Sequence, residues 1–205
     1  MADVLTGNGM QINVTSRGEE NFLRIANLLL LIATPAVREK FNEEFHPARL
    51  ETVLKENRFP HLDSLKQKNV INPIQWDLLF PVSGNTSSED FDLTLMICLI
   101  NNFTNISVSD KLPFDGDISS GADLSRLKYY RNKIMHSNCS TLTDRTFNKW
   151  WEEISEVVSR LGGAGFEERC NLLQKRRFAY GECYIPTEFE NRTGVRDPVP
   201  KGLRS

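Results

Sequence analysis

Arg131, Asn132 and His136, in the run Arg-Asn-Lys-Ile-Met-His, are the residues of this chain whose types and spacing could do chemistry together. An imidazole exchanges a proton near physiological pH, so His136 suits a base or an acid step. A guanidinium offers forked donors to phosphate oxygens, so Arg131 suits a site where negative charge develops. On a helix, Asn132 and His136 are four apart and share a face, where the carboxamide could hold the imidazole in a chosen orientation. Arg131 and His136 are five apart, about 140° around the axis. One helix would not bring them together unless the arginine arm curled back, and a partner surface could complete the site.

The element that must carry these groups is a helix within Gly121 to Ser140. Asp123 sits in its first turn, Leu124, Leu127, Tyr130 and Ile134 recur at helical spacing, and no proline or glycine interrupts the run. Arg131 projects close to the apolar stripe, an unusual place for a cation. Arg126, Lys128, Arg131 and Lys133 make the segment locally basic, and Arg126 reads as part of an ordinary solvated face.

Around this helix the pattern is of further helices. Met1 to Gly18 is polar and expected to fray, with structure beginning near Glu19. Phe22, Ile25, Ala26, Leu29, Ile32 and Ala33 mark a helix apolar on more than one side, central to a bundle. Thr34-Pro35 reads as a break and restart, with threonine as N-cap. His46-Pro47 and Pro60 open further elements, and both neighbouring histidines, His46 and His61, read as structural or exposed. Val70 to Pro81 predicts a short helix that buries Trp76. Ser87 and Asp90 form a capping pair for a long buried helix through Phe103, whose first turn holds Glu89, Asp90 and Asp92; one of these could reach Arg131. Ser107 to Gly121 is a loop. Phe147, Trp150, Trp151, Ile154, Val157, Val158 and Leu161 define an amphipathic helix ended by Gly162-Gly163. Phe166 to Tyr180 predicts one more helix with a second basic cluster, Lys175, Arg176 and Arg177. The expected organisation is a flexible 1–18, a helical domain over 19–180 and a tail or linker over 181–205.

The chain has 205 residues, 40% hydrophobic and 25% charged, which suits one soluble globular domain able to bury a core without staples. The formal net charge of -2 gives no global attraction to nucleic acid, so any such contact must use a local patch. The opening residues lack a basic start and a long apolar core, and the aliphatic run Leu28 to Ala33 is too short to span a bilayer. The expectation is a cytoplasmic protein with no membrane contact. The cysteines, Cys98, Cys139, Cys170 and Cys183, have no paired spacing and read as reduced thiols, and a zinc site joining His136 and Cys139 to Cys170 and Cys183 is disfavoured. No glycine-rich phosphate loop, G-x-S-x-G elbow or H-E-x-x-H pair occurs, so neither a cofactor nor a metal is expected.

Three blocks, VINPIQWDLLFP (Val70 to Pro81), SEDFDLTLMICLIN (Ser88 to Asn101) and GADLSRLKYYRNKIMHS (Gly121 to Ser137), together resemble the HEPN domain. The likeness is to the type found in the DAZ-interacting zinc-finger E3 ligase and in animal immune-type receptors. An arginine, a polar residue, three variable residues and a histidine also form the motif of HEPN ribonucleases. The resemblance implies an all-α HEPN bundle with accessory short helices. It further implies a metal-independent endoribonuclease acting on RNA as a homodimer, with both motif helices facing a shared cleft. In that case Arg131 and His136 are catalytic, Asn132 is supporting, and Lys128 and Lys133 contact RNA phosphates. The attacking group would be the substrate's own 2'-hydroxyl. A place in immunity or RNA turnover follows, with signalling or ligase domains lying outside this chain. The competing expectation is a catalytically silent HEPN module that dimerises or binds RNA or partners through the same surface.

Overall fold

The computed structural model describes residues 16–176, and among these residues the regular structure is helical throughout. The first helix, α1 (Arg17–Asn27), starts at a capping box in which Ser16 Oγ accepts from Glu19 N and Glu19 accepts from Ser16 N at 2.6 Å. It begins two residues before Glu19 because tertiary contacts hold it: Gly18 O accepts from Leu142 N at 2.9 Å, and Arg17 and Asn21 both donate to Asp144.

Thr34-Pro35 does not interrupt this helix. The chain passes from α1 through a π-helical stretch, Leu28–Ala33, directly into α2 (Thr34–Glu44), and Thr34 has helical angles rather than those of an N-cap. Proline removes one donor from the ladder, and the wider π spacing redistributes the rest. Thr34 supplies both its N–H and its hydroxyl to Leu29 O, the hydroxyl at 3.0 Å. The carbonyl of Leu31, whose α-helical partner would be the N–H that Pro35 lacks, accepts from Arg169 Nη2 at 2.9 Å. The uninterrupted Arg17–Glu44 rod is long and apolar enough to cross a membrane by length and composition. Here its central side chains Ile25, Leu28, Leu29, Ala33 and Val37 are buried in the core of the bundle.

His46 caps α3 (Pro47–Glu56), its Nδ1 accepting from Ala48 N at 3.3 Å, a structural role. A π-type turn at Arg58–Leu62 leads to α4 (Asp63–Gln67), and Asn72 and Gln75 form a capping box for α5 (Pro73–Leu79). Trp76 is buried on α5 as expected, its ring beside Phe80 and under the cations of Arg58 and Lys66. The next helix starts later than its capping pair predicts. Ser87 caps only a 3-10 turn, Ser88–Asp90, and α6 (Leu93–Phe103) is capped by Asp92, which accepts from Leu95 N at 2.6 Å. Glu89 and Asp90 therefore lie outside its first turn. Arg38 of α2 holds the 3-10 turn by donating to the carbonyls of Ser88 and Phe91 at 2.8 and 3.0 Å, which separates it from α6.

After α7 (Ser120–Met135) comes α8 (Asp144–Gly162), which packs against α1, α2, α7 and α9 (Ala164–Lys175), while α6 packs against α2 and α7. Phe147, Ile154, Val157 and Val158 of α8 meet this core together with Phe41 of α2, Met96 and Leu99 of α6 and Leu124, Leu127 and Tyr130 of α7. Each such aliphatic or aromatic side chain contributes about 1.5–3 kcal/mol by burial. Gly163, at φ +84°, ends α8 as a residue with a Cβ would not do without strain. Arg176 is the C-cap of α9, and Arg177 with the tail lies outside the described residues.

Candidate functional site

The motif helix α7 opens on Ser119, whose side chain accepts from Ala122 N at 3.2 Å, and its start is held against the preceding loop. A Cβ at Gly121 would lie 2.4 Å from Ser107 O, so only glycine permits that approach. Buried Asp123 then organises a network that sequence patterns did not reveal. Arg160 of α8 grips it with two bonds, at 2.9 and 2.7 Å, and Arg126 adds a third at 3.3 Å. Hydrogen bonding to Asp123 raises the Arg160 guanidinium above its ordinary value. Arg126 is not on a solvated face: it is buried, and it donates to the carbonyls of Phe114, Asp115 and Asp117 at 2.7, 3.3 and 2.6 Å. The loop before α7 is therefore tied down from beneath, and Ser125 reinforces it by accepting from Ser109 N at 2.8 Å. The i,i+3 spacing of Asp123 and Arg126 was visible in the sequence, but Arg160 lies too far along the chain to be paired with them by inspection.

Arg131 is half-buried, as its place beside the stripe predicts. It lines a groove of about 120 Å³ between α7, the first helix and the start of α6, among Ala26, Leu29, Leu30, Leu93 and Met135. Asp92 lines the same groove; its carboxylate caps α6 and accepts both oxygens' worth of bonding from Gln75 Nε2, at 3.2 and 3.0 Å. The arginine arm bends along α7 far enough for Nη1 to donate to Asn132 Oδ1 at 3.4 Å.

His136 does not lie inside the helix. It is the C-cap of α7, at φ -106° and ψ 13°, with its N–H donated to Asn132 O at 3.0 Å, so the helix ends at Met135 rather than running on to Ser140. Its imidazole is exposed and makes no side-chain hydrogen bond among the described residues. The expected support of His136 by the Asn132 carboxamide is absent, because that oxygen faces Arg131 instead. The two lysines diverge. Lys128 Nζ lies 2.7 Å from Asp110 of the tethered loop, which partly neutralises it, whereas Lys133 is exposed and lies 5.4 Å from the ring centroid of Tyr129. Next to them Tyr130 is buried, its hydroxyl donates to Glu153, and burial followed by that bond pushes its ionisation well up.

Burial also raises the thiols of Cys98 and Cys170, while Cys139 is exposed. Among the described residues no three His, Cys, Asp or Glu side chains converge as metal ligands, and Cys183 lies outside them.

Residues 47–181 match the DZIP3/hRUL138-like HEPN family. The chain is similar to the E3 ubiquitin-protein ligase DZIP3 of Mus musculus, 28% identical over 159 residues, and to that of Homo sapiens at the same identity and length. Each alignment covers 69% of this chain but only 12% of the relative. No solved structure matches. The family match starts at Pro47, so the long first helix that closes the core against α8 lies N-terminal to it. With an all-α bundle and a match over most of its length, this chain belongs to the DZIP3/hRUL138-like HEPN family.

Proposed function

We propose that this domain is a metal-independent endoribonuclease whose active form is a homodimer, with Arg131 and His136 as its catalytic residues. The observation that carries the reading is the end of α7. An exposed imidazole sits at the helix C-cap, one turn beyond an Arg131–Asn132 pair whose arginine lines a groove. His136 would take the proton of a ribose 2'-hydroxyl or protonate the leaving oxygen. The 2'-oxygen then bonds to phosphorus as the 5'-oxygen leaves, giving a 2',3'-cyclic phosphate and a 5'-hydroxyl. Arg131 would bear the charge of the phosphorane through its forked donors. Lys133 is the better placed of the two lysines for a phosphate, since Lys128 is engaged with Asp110. A second copy would supply what one protomer lacks, an orienting partner for His136.

In this proposal the domain works in the cytosol, in immunity or RNA turnover, as one part of a longer protein. The relatives are ubiquitin ligases of which it spans 12%, so ligase or signalling domains would lie elsewhere. A second reading, a catalytically silent dimerisation or RNA-binding module, draws support from the carboxylate of Asp92 in the groove of Arg131. Incubation of the purified protein with total RNA in a chelator separates the two. Cleavage leaving 2',3'-cyclic phosphate ends is the expected result, and deoxyribose 5' to one scissile phosphate should block cutting there alone. A requirement for magnesium, or unchanged cutting at the deoxy position, would remove the roles given to His136 and Arg131.

A further inference from the structure

Two aromatic rings beside the motif have no part in the chemistry above. Tyr129 lies seven residues before His136 and three before Asn132, so it shares their side of α7. It meets the ring of Tyr130 edge-on at 5.3 Å, and Tyr130 in turn meets Trp150 of α8 at 5.1 Å. Tyr130 is buried and tied through its hydroxyl to Glu153, so it is a fixed brace between the other two. Tyr129 and Trp150 are each only half-buried, unlike the core rings Phe41 and Phe91.

The charges around this pair are mainly cationic. Lys133 stands over Tyr129, Lys149 precedes Trp150 with its side chain 63% exposed, and Arg145 is exposed four residues earlier on the same stripe of α8. Two carboxylates nearby are occupied, Glu153 by Tyr130 and Lys149 and Asp144 by Arg17 and Asn21, and Glu152 is exposed beside them on α8. Partly exposed aromatic rings on a rigid support, interleaved with lysines, suit a strand of unpaired bases, which needs a ring to stack each base on and a cation for the backbone. A duplex keeps its bases stacked inside and cannot offer them to such rings. Tyr129 is two helical turns from His136, about 10 Å along the axis, within reach of a nucleotide or two from the scissile phosphate.

We propose that Tyr129 and Trp150, braced by Tyr130, form a stacking platform for the unpaired bases of single-stranded RNA and lead the strand to His136. The destination rests on the ribonuclease reading; the platform itself does not. Its test uses the His136→Ala protein, so that a bound strand stays whole. The probes are a fluorescent 12-mer oligouridylate, a 12-mer RNA duplex and an abasic ribose-phosphate strand of equal length, all in chelator at fixed salt. Tyr129→Leu and Trp150→Leu should each weaken binding of the oligouridylate about tenfold. Tyr129→Phe and Trp150→Phe should preserve it, and the abasic strand should be indifferent to all four substitutions. Should Trp150→Leu fail to fold by its thermal melt, the Tyr129 pair carries the test.

The platform is overturned if the oligouridylate does not bind at low salt, or if the leucine variants bind it as their parent does. It is also overturned if they lose duplex and single strand equally, or if sedimentation shows a lost dimer with unchanged affinity per protomer, which would make this face a protein interface. The stated binding pattern, together with no cutting of RNA by the protein that keeps His136, would sustain the platform and sink the ribonuclease reading. Cutting of single-stranded RNA at an undiminished rate by Tyr129→Leu and Trp150→Leu proteins that keep His136 would do the reverse.

Discussion

Arg131 and His136 occupy different kinds of place, and that difference separates their mutants. His136 is an exposed C-cap with no side-chain bond among the described residues, so His136→Ala should change stability by no more than about 0.5 kcal/mol. Its effect on RNA cleavage should nevertheless be a loss of about 10²–10⁴-fold. Arg131 lies half-buried in a groove and contacts Asn132, so Arg131→Ala should lower activity by a similar factor and also lower the melting temperature by a few degrees. Arg131→Lys keeps a cation without the fork and should fall between the unsubstituted protein and Arg131→Ala in rate. A collapse of the fold in Arg131→Ala, beside a normal His136→Ala, would show that the guanidinium serves packing and the neighbouring carboxylate rather than phosphate.

Among the elements, α7 is held at its start by charge and along its length by apolar packing. Arg126 joins Asp123 to three carbonyls of the preceding loop, and removing it leaves a buried carboxylate with fewer donors and those carbonyls without their partner. Arg126→Met should therefore cost about 3–5 kcal/mol, the range for breaking a buried pair from one side. In a marginal protein that is visible as a large fall in melting temperature. Hydrogen exchange should accelerate in the loop before it does in α8, because the loop lacks a hydrophobic stripe of its own. An unchanged melt would mean that Asp123 is satisfied by Arg160 alone. The other element that departs from simple expectation is the first helix. A proline in a helix interior normally costs about 3 kcal/mol, yet here Arg169 occupies the carbonyl that Pro35 leaves free and the π stretch absorbs the mismatch. Arg169→Ala should thus loosen the junction of α9 with the π stretch, read as faster exchange of the amides around Leu29 to Thr34.

For the molecule as a whole, the decisive question is whether one protomer holds a complete site. Arg131 and His136 stand five residues apart at the end of one α7, about 140° around its axis, and the proposed dimer would bring the arginine of one copy to the histidine of the other. Mixing Arg131→Ala with His136→Ala protein then regenerates one intact site in each mixed dimer, restoring about a quarter of the activity at random exchange. If each site is instead built within one protomer, the mixture stays as inactive as its parents. Helical periodicity alone carried most of the architecture: the stripes of α6, α7 and α8 and the burial of Trp76 follow from residue spacing, because an amphipathic segment has one way to hide its apolar face. The order of Arg131, Asn132 and His136 was equally open to reading, since it is local. Two features needed long-range contacts, and a third needed a choice between neighbouring side chains. Arg126 resembles a surface cation until Arg160 and the loop carbonyls surround it, Pro35 resembles a helix break until Arg169 arrives, and Asn132 resembles a partner of His136 until the arm of Arg131 reaches its oxygen first. Each depends on where a flexible charged or amide side chain finds its partner; for Asn132 the rivals lie one and four residues away, whereas for Arg126 and Pro35 the choice is made by segments far apart in the chain that only packing brings into reach.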